Sequence, residues 1–383
     1  MAWFIGLMSG TSLDGVDGVL AQTTDDANTI ALKAGSTQAA PLVLHAHAHL
    51  AFDAGLQAEL MALNRSGPDE LHRGALAANA LMKAYAQLVS RLLRQAGLRA
   101  SDIAAVGAHG QTVRHRPGEF DGHGYTVQLM NGALLAELTG IAVVCDFRSR
   151  DVAAGGQGAP LVPALHAACF ARPGVDVAVL NVGGIANLTL LGPGGAVLGF
   201  DTGPGNMLLD LWVQQHLGKP YDDAGAWAAS GAVQPSLLAS LLAEPYLARS
   251  PPKSTGRDLF DAAWLSQHTA QGNFSAQDVM CTLAEYTAVT VAQALQRHAR
   301  ACTELLVCGG GAFNAHLMSR LAARVSPGVR VQGTAEAGMP PDQVEAMAFA
   351  GLACAHIAAL PGNLPAVTGA KGLRVLGAYH PSS

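Results

Sequence analysis

Residues 3–22 read WFIGLMSGTSLDGVDGVLAQ and predict two strands joined by a glycine-rich turn. The apolar residues of 3–8 and 16–22 are typical of strands, whereas 9–15 carries the small and polar residues of a turn. Residues 43–52 alternate in polarity and predict a third strand. Three consecutive strands are therefore expected near the start of the chain.

The same order of elements recurs in the second half of the chain. Each half predicts three strands, then helices, then a strand that runs into a glycine loop. After its third strand, the first half predicts a helix over 70–95, with Gly97 as its stop signal, and a strand over 103–108. The second half predicts strands over 175–182, 188–191, 196–200 and 305–308 and a helix over 282–299. Because a repeat outweighs a single motif, we predict an α/β fold of two domains around an interdomain cleft, formed by 1–149 with 341–383 and by 150–340.

Composition excludes several classes of protein. Of the 383 residues, 50% are hydrophobic and 13% are charged, so general disorder is excluded. A net charge of −5, with no basic stripe and few aromatic residues, argues against a nucleic-acid partner. Six cysteines without a Cys-x-x-Cys pair favour free thiols in a reducing cytoplasm. The first residues lack the basic region of a signal peptide, and the apolar stretch 346–360 is shorter than a spanning helix, so no membrane partner is expected.

Glycine turns after strands predict phosphate binding. Residues 9–12, Ser-Gly-Thr-Ser, offer three hydroxyl groups and a nest of backbone N–H groups. Asp14 and Asp17 are carboxylates that would hold Mg²⁺ through water, since hard cations prefer oxygen ligands. One such turn alone is better explained as a tight hairpin, but Gly183 and Gly184 form a second turn at the matching place. Neither turn fits the P-loop or the dinucleotide-binding pattern.

A run of three glycines follows the strand predicted over 305–308. Gly309, Gly310 and Gly311 precede Asn314, which is expected in the first turn of a helix. Three consecutive glycines cost conformational entropy, so a flat ligand lying on the backbone is the favoured interpretation. A helix start with few packing demands is the alternative.

Two charged positions leave their alternatives open. Asp201 is expected in a loop over 201–206, after a strand and before a helix, where a helix N-cap and a general base are equally well supported. Arg148 lies among charged residues over 146–151, where it would clamp a carboxylate or belong to a solvated salt-bridge cluster. The segment 251–257 is expected as an exposed loop, either ordinary or closing over an anionic ligand.

Histidines give weaker signals. His109 follows a strand and would contact a substrate, but a structural histidine is the favoured interpretation. His45, His47 and His49 share one face of the third predicted strand and would suit zinc. No neighbouring ligand supports a metal site, so a solvated strand face is favoured and the role of the triplet stays open.

The motifs, taken in order along nearly the whole chain, resemble the anhydro-N-acetylmuramic acid kinases of the sugar kinase/Hsp70/actin superfamily. The matching stretches are 6–17, 107–112, 146–148, 151–160, 181–189, 199–206, 251–257, 309–314 and 345–350. The resemblance implies two actin-like (ribonuclease H-like) domains, ATP and Mg²⁺ as cofactors, and an anhydrosugar substrate. The implied reaction converts 1,6-anhydro-N-acetylmuramic acid to N-acetylmuramic acid 6-phosphate in cell-wall recycling. Another small-molecule kinase of this fold, or an ATP-driven switch, is the alternative.

The resemblance also assigns roles to residues. Asp201 matches the family's general base, and Ser9, Arg148 and Glu345 match positions for the sugar. The implied nucleotide-binding residues are Gly10, Thr11, Ser12, Leu13, Asp14, Gly15, Val16, Asp17, Gly183, Gly184, Gly309, Gly310, Gly311 and Asn314. Met8 stands where many superfamily members carry Asp, so the Mg²⁺ ligands stay undetermined. The resemblance further suggests a homodimer.

Overall fold

The structure is a computed structural model that describes residues 1–10, 12–24, 42–257, 259–270 and 272–382. The chain divides into two compact units, and each is considered by itself. Unit 1 comprises Met1–Cys169 and Gln343–Ser383, and unit 2 comprises Phe170–Asp342.

Residues 1–169 supply most of unit 1, and the last helix that begins in this stretch ends at Phe170. Their strands are β1 (Trp3–Met8), β2 (Gly15–Thr23), β3 (Leu42–Ala51), β4 (Ile103–Ala108), β5 (Gln111–Pro117), β6 (Gly124–Leu129) and β7 (Val143–Cys145). Their α-helices are α1 (Ala54–Ala62), α2 (Glu70–Ala96), α3 (Gly132–Thr139), α4 (Ser149–Ala153) and α5 (Pro163–Phe170), with a 3₁₀ turn at Ala100–Asp102. The hairpin of β5 and β6 was not predicted, because its charged and polar residues obscure the strand pattern.

Unit 2 follows, and the chain then returns to unit 1. The strands of unit 2 are β8 (Val177–Val182), β9 (Ile185–Leu191), β10 (Val197–Pro204), β11 (Glu304–Cys308) and β12 (Arg330–Gly333). Its α-helices are α6 (Met207–Leu217), α7 (Ala226–Ala229), α8 (Pro235–Leu242), α9 (Ala262–Thr269), α10 (Ala276–His298) and α11 (Ala315–Arg324). Its 3₁₀ helices are Asp223–Gly225, Pro245–Ala248, Gly310–Phe313 and Thr334–Ala337. The returning segment forms α12 (Val344–Ile357), α13 (Pro365–Thr368) and β13 (Ala378–His380).

The two main sheets share one strand order. In unit 1 the order is β13-β7-β4-β1-β2-β3, with β1, β2 and β3 antiparallel and β1, β4 and β7 parallel. In unit 2 the order is β10-β9-β8-β11-β12, with β8, β9 and β10 antiparallel and β8, β11 and β12 parallel. In both, the first strand is central and the order is third, second, first, fourth, fifth, which is the order of ribonuclease H-like domains. The predicted α/β duplication is thereby confirmed.

The first boundary between the units lies at 169/170 rather than at 149/150. The reason is the carboxylate of Asp151 in α4, which is fully buried. Its Oδ1 atom accepts hydrogen bonds of 2.8 Å from Asn363 and from Thr368 in the returning segment. Its Oδ2 atom accepts one from the N–H of Gly158. These bonds attach α4 and the loop after it to unit 1.

Close packing of α12 onto the sheet forms one side of the core of unit 1. A Cβ atom added to Gly6 of β1 would lie 1.9 Å from the carbonyl oxygen of Ala346, and one added to Gly107 of β4 would lie 2.0 Å from that of Phe349. Glycine is therefore required where the helix backbone meets the strands. On another part of the sheet, the buried residues Leu81, Tyr85, Leu88 and Leu92 of α2 pack in a cluster with β1, β2 and β4. Among the described residues, no helix is long and apolar enough to cross a membrane.

Candidate active site

The glycine turn of unit 1 is held by a buried leucine. Leu13 is 1% exposed, packs in a cluster with Leu56 and Leu60, and has a φ angle of +61°. Its N–H donates to the carbonyl of Gly10, and the hydroxyl of Ser12 donates to Oδ1 of Asp14 at 2.6 Å. A left-handed conformation is uncommon for a non-glycine residue, and the burial of Leu13 and these bonds help to hold it here.

Not every residue predicted in this turn presents a side chain to a ligand. Thr11 lies outside the described residues. Val16 is fully buried in the core, so only its backbone is available for binding. Gly15 lies against the imidazole of His49, since an added Cβ would be 2.6 Å from that ring.

The carboxylate of Asp17 is paired with two histidines of the neighbouring strand. Its Oδ1 atom lies 3.0 Å from Nδ1 of His49 and 3.3 Å from Nε2 of His47. Burial acts to raise the pKa of Asp17, but these hydrogen bonds outweigh it and lower the pKa. The bond with Asp17 in turn raises the pKa of His49. His45 does not join this group, because its ring packs edge-on against Trp3.

Replacing His49 with Gln is expected to lower the free energy of unfolding by less than about 1 kcal/mol, because the ion pair is half-exposed. The raised pKa of His49 means that its stabilisation is present below the usual value of 6.5 and is lost as pH rises through the folded-state pKa. The lowered pKa of Asp17 means that its stabilisation is present above 3.8 and is lost in acid. Urea unfolding from pH 4 to 8 should therefore show the largest difference near pH 5. A difference that grows towards pH 8 would contradict this account.

Ser9 and Arg148, both predicted for the sugar, are joined through His109. The hydroxyl of Ser9 donates to the carbonyl of Gly110 at 3.1 Å and accepts from Tyr85 at 2.7 Å. The backbone carbonyl of Ser9 lies 3.3 Å from Nδ1 of His109. Nε and Nη2 of Arg148 donate to Nε2 of His109 at 3.1 and 2.9 Å. Both ring nitrogens of His109 have partners, as expected of a structural histidine, and one of these partners is Arg148.

The third predicted sugar residue, Glu345, is half-buried in the first turn of α12. Phe349, one helical turn later, packs its ring 4.8 Å from that of His109. The described contacts thus join Ser9 and Arg148 to His109, whereas Glu345 is related to this histidine only as a residue of the same helix as Phe349.

In unit 2, Asp201 lies within a strand rather than in a loop. The predicted loop over 201–206 is wrong, because β10 continues to pair with β9 as far as Pro204. The pairing shifts register between Asp201 and Gly203, and such bulges re-aim side chains beside functional sites. The N-cap alternative for Asp201 is also wrong, since Asn206 precedes α6.

The segment 251–257 holds Asp201 through its backbone. The N–H of Thr255 donates to Oδ2 of Asp201 at 2.9 Å, and the carbonyl of Lys253 accepts the N–H of Asp201 at 3.2 Å. The hydroxyl of Tyr246 donates to the carbonyl of Asp201 at 2.9 Å. The prediction that this segment is an exposed loop is wrong, because most of its residues are half-buried. The reason is that its backbone forms hydrogen bonds with β10, an edge strand of the sheet. Its motif signalled importance, but sequence alone did not connect it with Asp201.

Two cations, Lys253 and Arg297, lie near the residues that hold Asp201 in place. Nζ of Lys253 lies 3.2 Å from the carbonyl oxygen of Leu247, which also accepts a bond from Arg297. Burial, followed by the charge of Arg297, lowers the pKa of Lys253 to about 8. Burial and the charge of Asp201 raise the pKa of Tyr246, which remains protonated as a donor.

Replacing Thr255 with Pro is expected to lower kcat of the kinase reaction that the resemblance implies by about 10- to 100-fold. Proline lacks the N–H that donates to the Asp201 carboxylate, and a hydrogen bond to a charged group contributes roughly 1.5–3 kcal/mol. Thr255→Ala keeps that N–H and is the matched control. Steady-state kinetics of both variants measure the effect. An equal loss in the two variants would show that the side chain, and not the N–H, is responsible.

The other glycine motifs of unit 2 are tightly packed. The carbonyl of Gly184 accepts the N–H groups of Gly205 and Met207, and that of Gly183 accepts the N–H of Asn206. The turn between β8 and β9 is thereby bound to the start of α6.

Packing explains two of the three consecutive glycines. Added Cβ atoms on Gly309 and on Gly311 would each lie 2.3 Å from atoms of β8. Gly310 is exposed, and a Cβ atom added to it would come no closer than 3.6 Å to the atoms around it. Asn314 is the N-cap of α11 rather than part of its first turn, and its Oδ1 accepts the N–H of Leu317 at 2.9 Å. A flat ligand would therefore meet mainly the backbone near Gly310.

Metal ligands are not gathered in the described part of the chain. Within it, no group of three or more His, Cys, Asp or Glu side chains is placed to hold a metal ion.

The duplicated ribonuclease H-like fold, with a glycine turn after the first strand of each unit and a buried carboxylate on β10, defines a chain of the actin-like and sugar-kinase class. Residues 2–382 match the family model for anhydro-N-acetylmuramic acid kinase, and the chain belongs to that family. It is 58% identical to the anhydro-N-acetylmuramic acid kinase of Variovorax paradoxus, over 99% of both chains. It is 59% identical to that of Bordetella petrii, over 99% of this chain and 96% of the other.

Two solved structures resemble the chain remotely. The activator of the 2-hydroxyisocaproyl-CoA dehydratase from Clostridium difficile, with bound ADPNP, is 14% identical with a TM-score of 0.43, over 93% of this chain and 96% of that one. A ROK family glucokinase from Streptomyces griseus, in complex with glucose and AMPPNP, is 13% identical with a TM-score of 0.39, over 91% and 97%.

Proposed function

We propose that this protein uses ATP to convert 1,6-anhydro-N-acetylmuramic acid into N-acetylmuramic acid 6-phosphate in cell-wall recycling. The chain belongs to a family of phosphotransferases that act on an alcohol group. The relatives that it matches over nearly their full length carry the name of this family. The observation within this chain that carries the proposal is Asp201, a carboxylate 9% exposed and held by backbone bonds beside a strand bulge.

Asp201 is proposed as the general base for water. It accepts a proton while the water oxygen forms a bond to the anomeric carbon, and the bond from that carbon to the bridging oxygen breaks. The released oxygen at C6 forms a bond to the γ-phosphorus of ATP, and ADP leaves. Cleavage of this kind passes through an oxocarbenium-like state, which requires an activated water. The bonds from Thr255 and Tyr246 keep the carboxylate and its strand in place for this step.

Arg148, Glu345 and Ser9 are proposed to bind the sugar. A guanidinium is a suitable partner for the lactyl carboxylate of muramic acid, because the pair forms two parallel charge-assisted bonds. Glu345 would accept from sugar hydroxyl groups. The hydroxyl of Ser9 donates its proton to the carbonyl oxygen of Gly110, so towards the sugar it would act as an acceptor.

The glycine turns are proposed to hold the nucleotide. The turn over 10–17 and the turn at Gly183 and Gly184 would bind phosphates, and the backbone near Gly310 would meet the adenosine. Asp14 and Asp17 offer oxygen ligands suited to Mg²⁺, and among the described residues no hydrogen bond is donated to Oδ2 of either. When bound, Mg²⁺ neutralises charge on the phosphates.

ADP release with Mg²⁺-ATP, with and without the anhydrosugar, tests the proposal. Mass spectrometry of the product formed in ¹⁸O-water should find a phosphorylated sugar with one ¹⁸O atom. ADP release that needs a different sugar would indicate another small-molecule kinase. Release that no sugar accelerates would indicate an ATP-driven switch.

We also propose a cytoplasmic location and a homodimer. All six cysteines are free thiols, which suits a reducing compartment. Sedimentation equilibrium tests the dimer, and a single species of monomer mass would reject it.

A further inference from the structure

His109 is a buried histidine at the meeting point of three elements of unit 1. The residue is 4% exposed and directly follows β4. One ring nitrogen faces the carbonyl of Ser9 in the glycine turn, and the other faces Arg148. The face of the ring packs against Phe349 of α12.

These contacts require a neutral ring with its proton on Nδ1. The Nδ1–H group donates to the Ser9 carbonyl, and the Nε2 lone pair accepts from both Nε and Nη2 of Arg148. A protonated ring would place a second N–H against a guanidinium, so two donors would face each other. Burial and then the charge of Arg148 lower the pKa of His109 well below its usual value, which agrees with this arrangement.

The guanidinium of Arg148 is thereby fixed on two sides. Its Nη1 donates to the carbonyl of Gly158 at 2.7 Å, while Nε and Nη2 are bound to His109. An arginine side chain loses considerable rotamer entropy when it is ordered in a complex. A guanidinium already oriented by the protein avoids much of that cost when it meets a carboxylate.

We propose that His109 is a positioning residue that orients Arg148 for the carboxylate group of the substrate and so contributes to selecting carboxylate-bearing sugars. This inference rests on the proposed function, because it takes Arg148 as the partner of the lactyl carboxylate. It adds a residue that acts through Arg148 and a requirement for one tautomer of its ring.

Two variants separate positioning from structure. His109→Leu removes the acceptor for Arg148 and keeps an apolar side chain beside Phe349, whereas His109→Gln can restore one acceptor. The ligands are 1,6-anhydro-N-acetylmuramic acid and 1,6-anhydro-N-acetylglucosamine, which lacks the lactyl carboxylate. Their dissociation constants and the steady-state KM and kcat are measured, and thermal melting verifies folding.

His109→Leu should raise KM and the dissociation constant for the muramic sugar by about 10- to 100-fold, as expected for a weakened bond to a charged group. Binding of the sugar without a carboxylate should change less than about threefold, and His109→Gln should recover part of the loss. Equal weakening for both sugars, or no weakening for either, would overturn the proposal.

A spectroscopic measurement separates failure of this inference from failure of the proposed function. Long-range ¹H–¹⁵N spectra of wild-type protein without substrate should show a neutral His109 ring protonated on Nδ1. A ring protonated on Nε2 would overturn the positioning role whatever the enzyme's activity. Absence of sugar-dependent ADP release from wild-type protein, with the expected tautomer present, would instead reject the proposed substrate.

Discussion

Replacing Asp201 with Asn is expected to lower sugar-dependent ADP release by about 10²- to 10⁴-fold, the usual contribution of a general base. Asn has nearly the same shape, and its Oδ1 can still accept from the N–H of Thr255. The amide of Asn, unlike the carboxylate of Asp, has no basic oxygen that could take a proton from water. The loss should therefore appear in kcat, while the dissociation constants of the sugar and of an ATP analogue stay close to those of the wild type.

The matched control for this variant is Asp261→Asn in the same unit. Asp261 is the N-cap of α9 and accepts the N–H of Trp264 at 2.8 Å. Because Asn is as good an N-cap as Asp, this change removes a carboxylate without removing the cap. Kinetics of both variants, with thermal melts, distinguish loss of the base from loss of charge. An active Asp201→Asn enzyme, or one that has lost sugar binding, would contradict the assignment.

Replacing Gly6 with Ala is expected to destabilise the protein by about 3 kcal/mol or more, at or above the upper end of ordinary overpacking. The added Cβ would lie 1.9 Å from the carbonyl oxygen of Ala346 and 2.6 Å from the backbone nitrogen of Ala350. Both are backbone atoms of α12, so no side chain can turn aside to make room. The helix must move away from β1, and its contacts with the sheet weaken.

Gly351→Ala is the control, because Gly351 lies in the same helix. Its added Cβ would come no closer than 3.8 Å to the atoms around it, here a methyl carbon of Leu42. Ala is favoured over Gly within a helix by about 1 kcal/mol, so this variant should be neutral or more stable. Urea unfolding measures both. Similar stability of the two variants would show that α12 adjusts more easily than the packing indicates.

Local patterns predicted most of the elements that carry the site. The strand over 3–8 and the strand over 103–108 were predicted with the bounds that the structure shows. The helix predicted over 70–95 extends one residue further, and Gly97 ends it in a left-handed conformation. These predictions succeed because side-chain periodicity and glycine stop signals depend on neighbours along the chain.

Long-range contacts decided what local patterns left open. Periodicity ended the third strand of unit 2 at residue 200, but pairing with β9 and with the segment at Lys253 extends β10 through Asp201. The helix predicted to start near Asn314 instead begins after it, because its side chain caps the N–H of Leu317.

The sequence by itself determined the duplicated α/β fold and, through its motifs, the family and the residues proposed for its chemistry. Only the tertiary structure decided how those residues are supported: Arg148 by His109, Asp201 by Thr255, and the sheet of unit 1 by a helix that requires Gly6. The physical reason is that each support joins residues that are far apart in the chain. The separation is 39 positions for Arg148 and His109 and 54 positions for Asp201 and Thr255. Such contacts form when elements pack together, and no local pattern of residues encodes them.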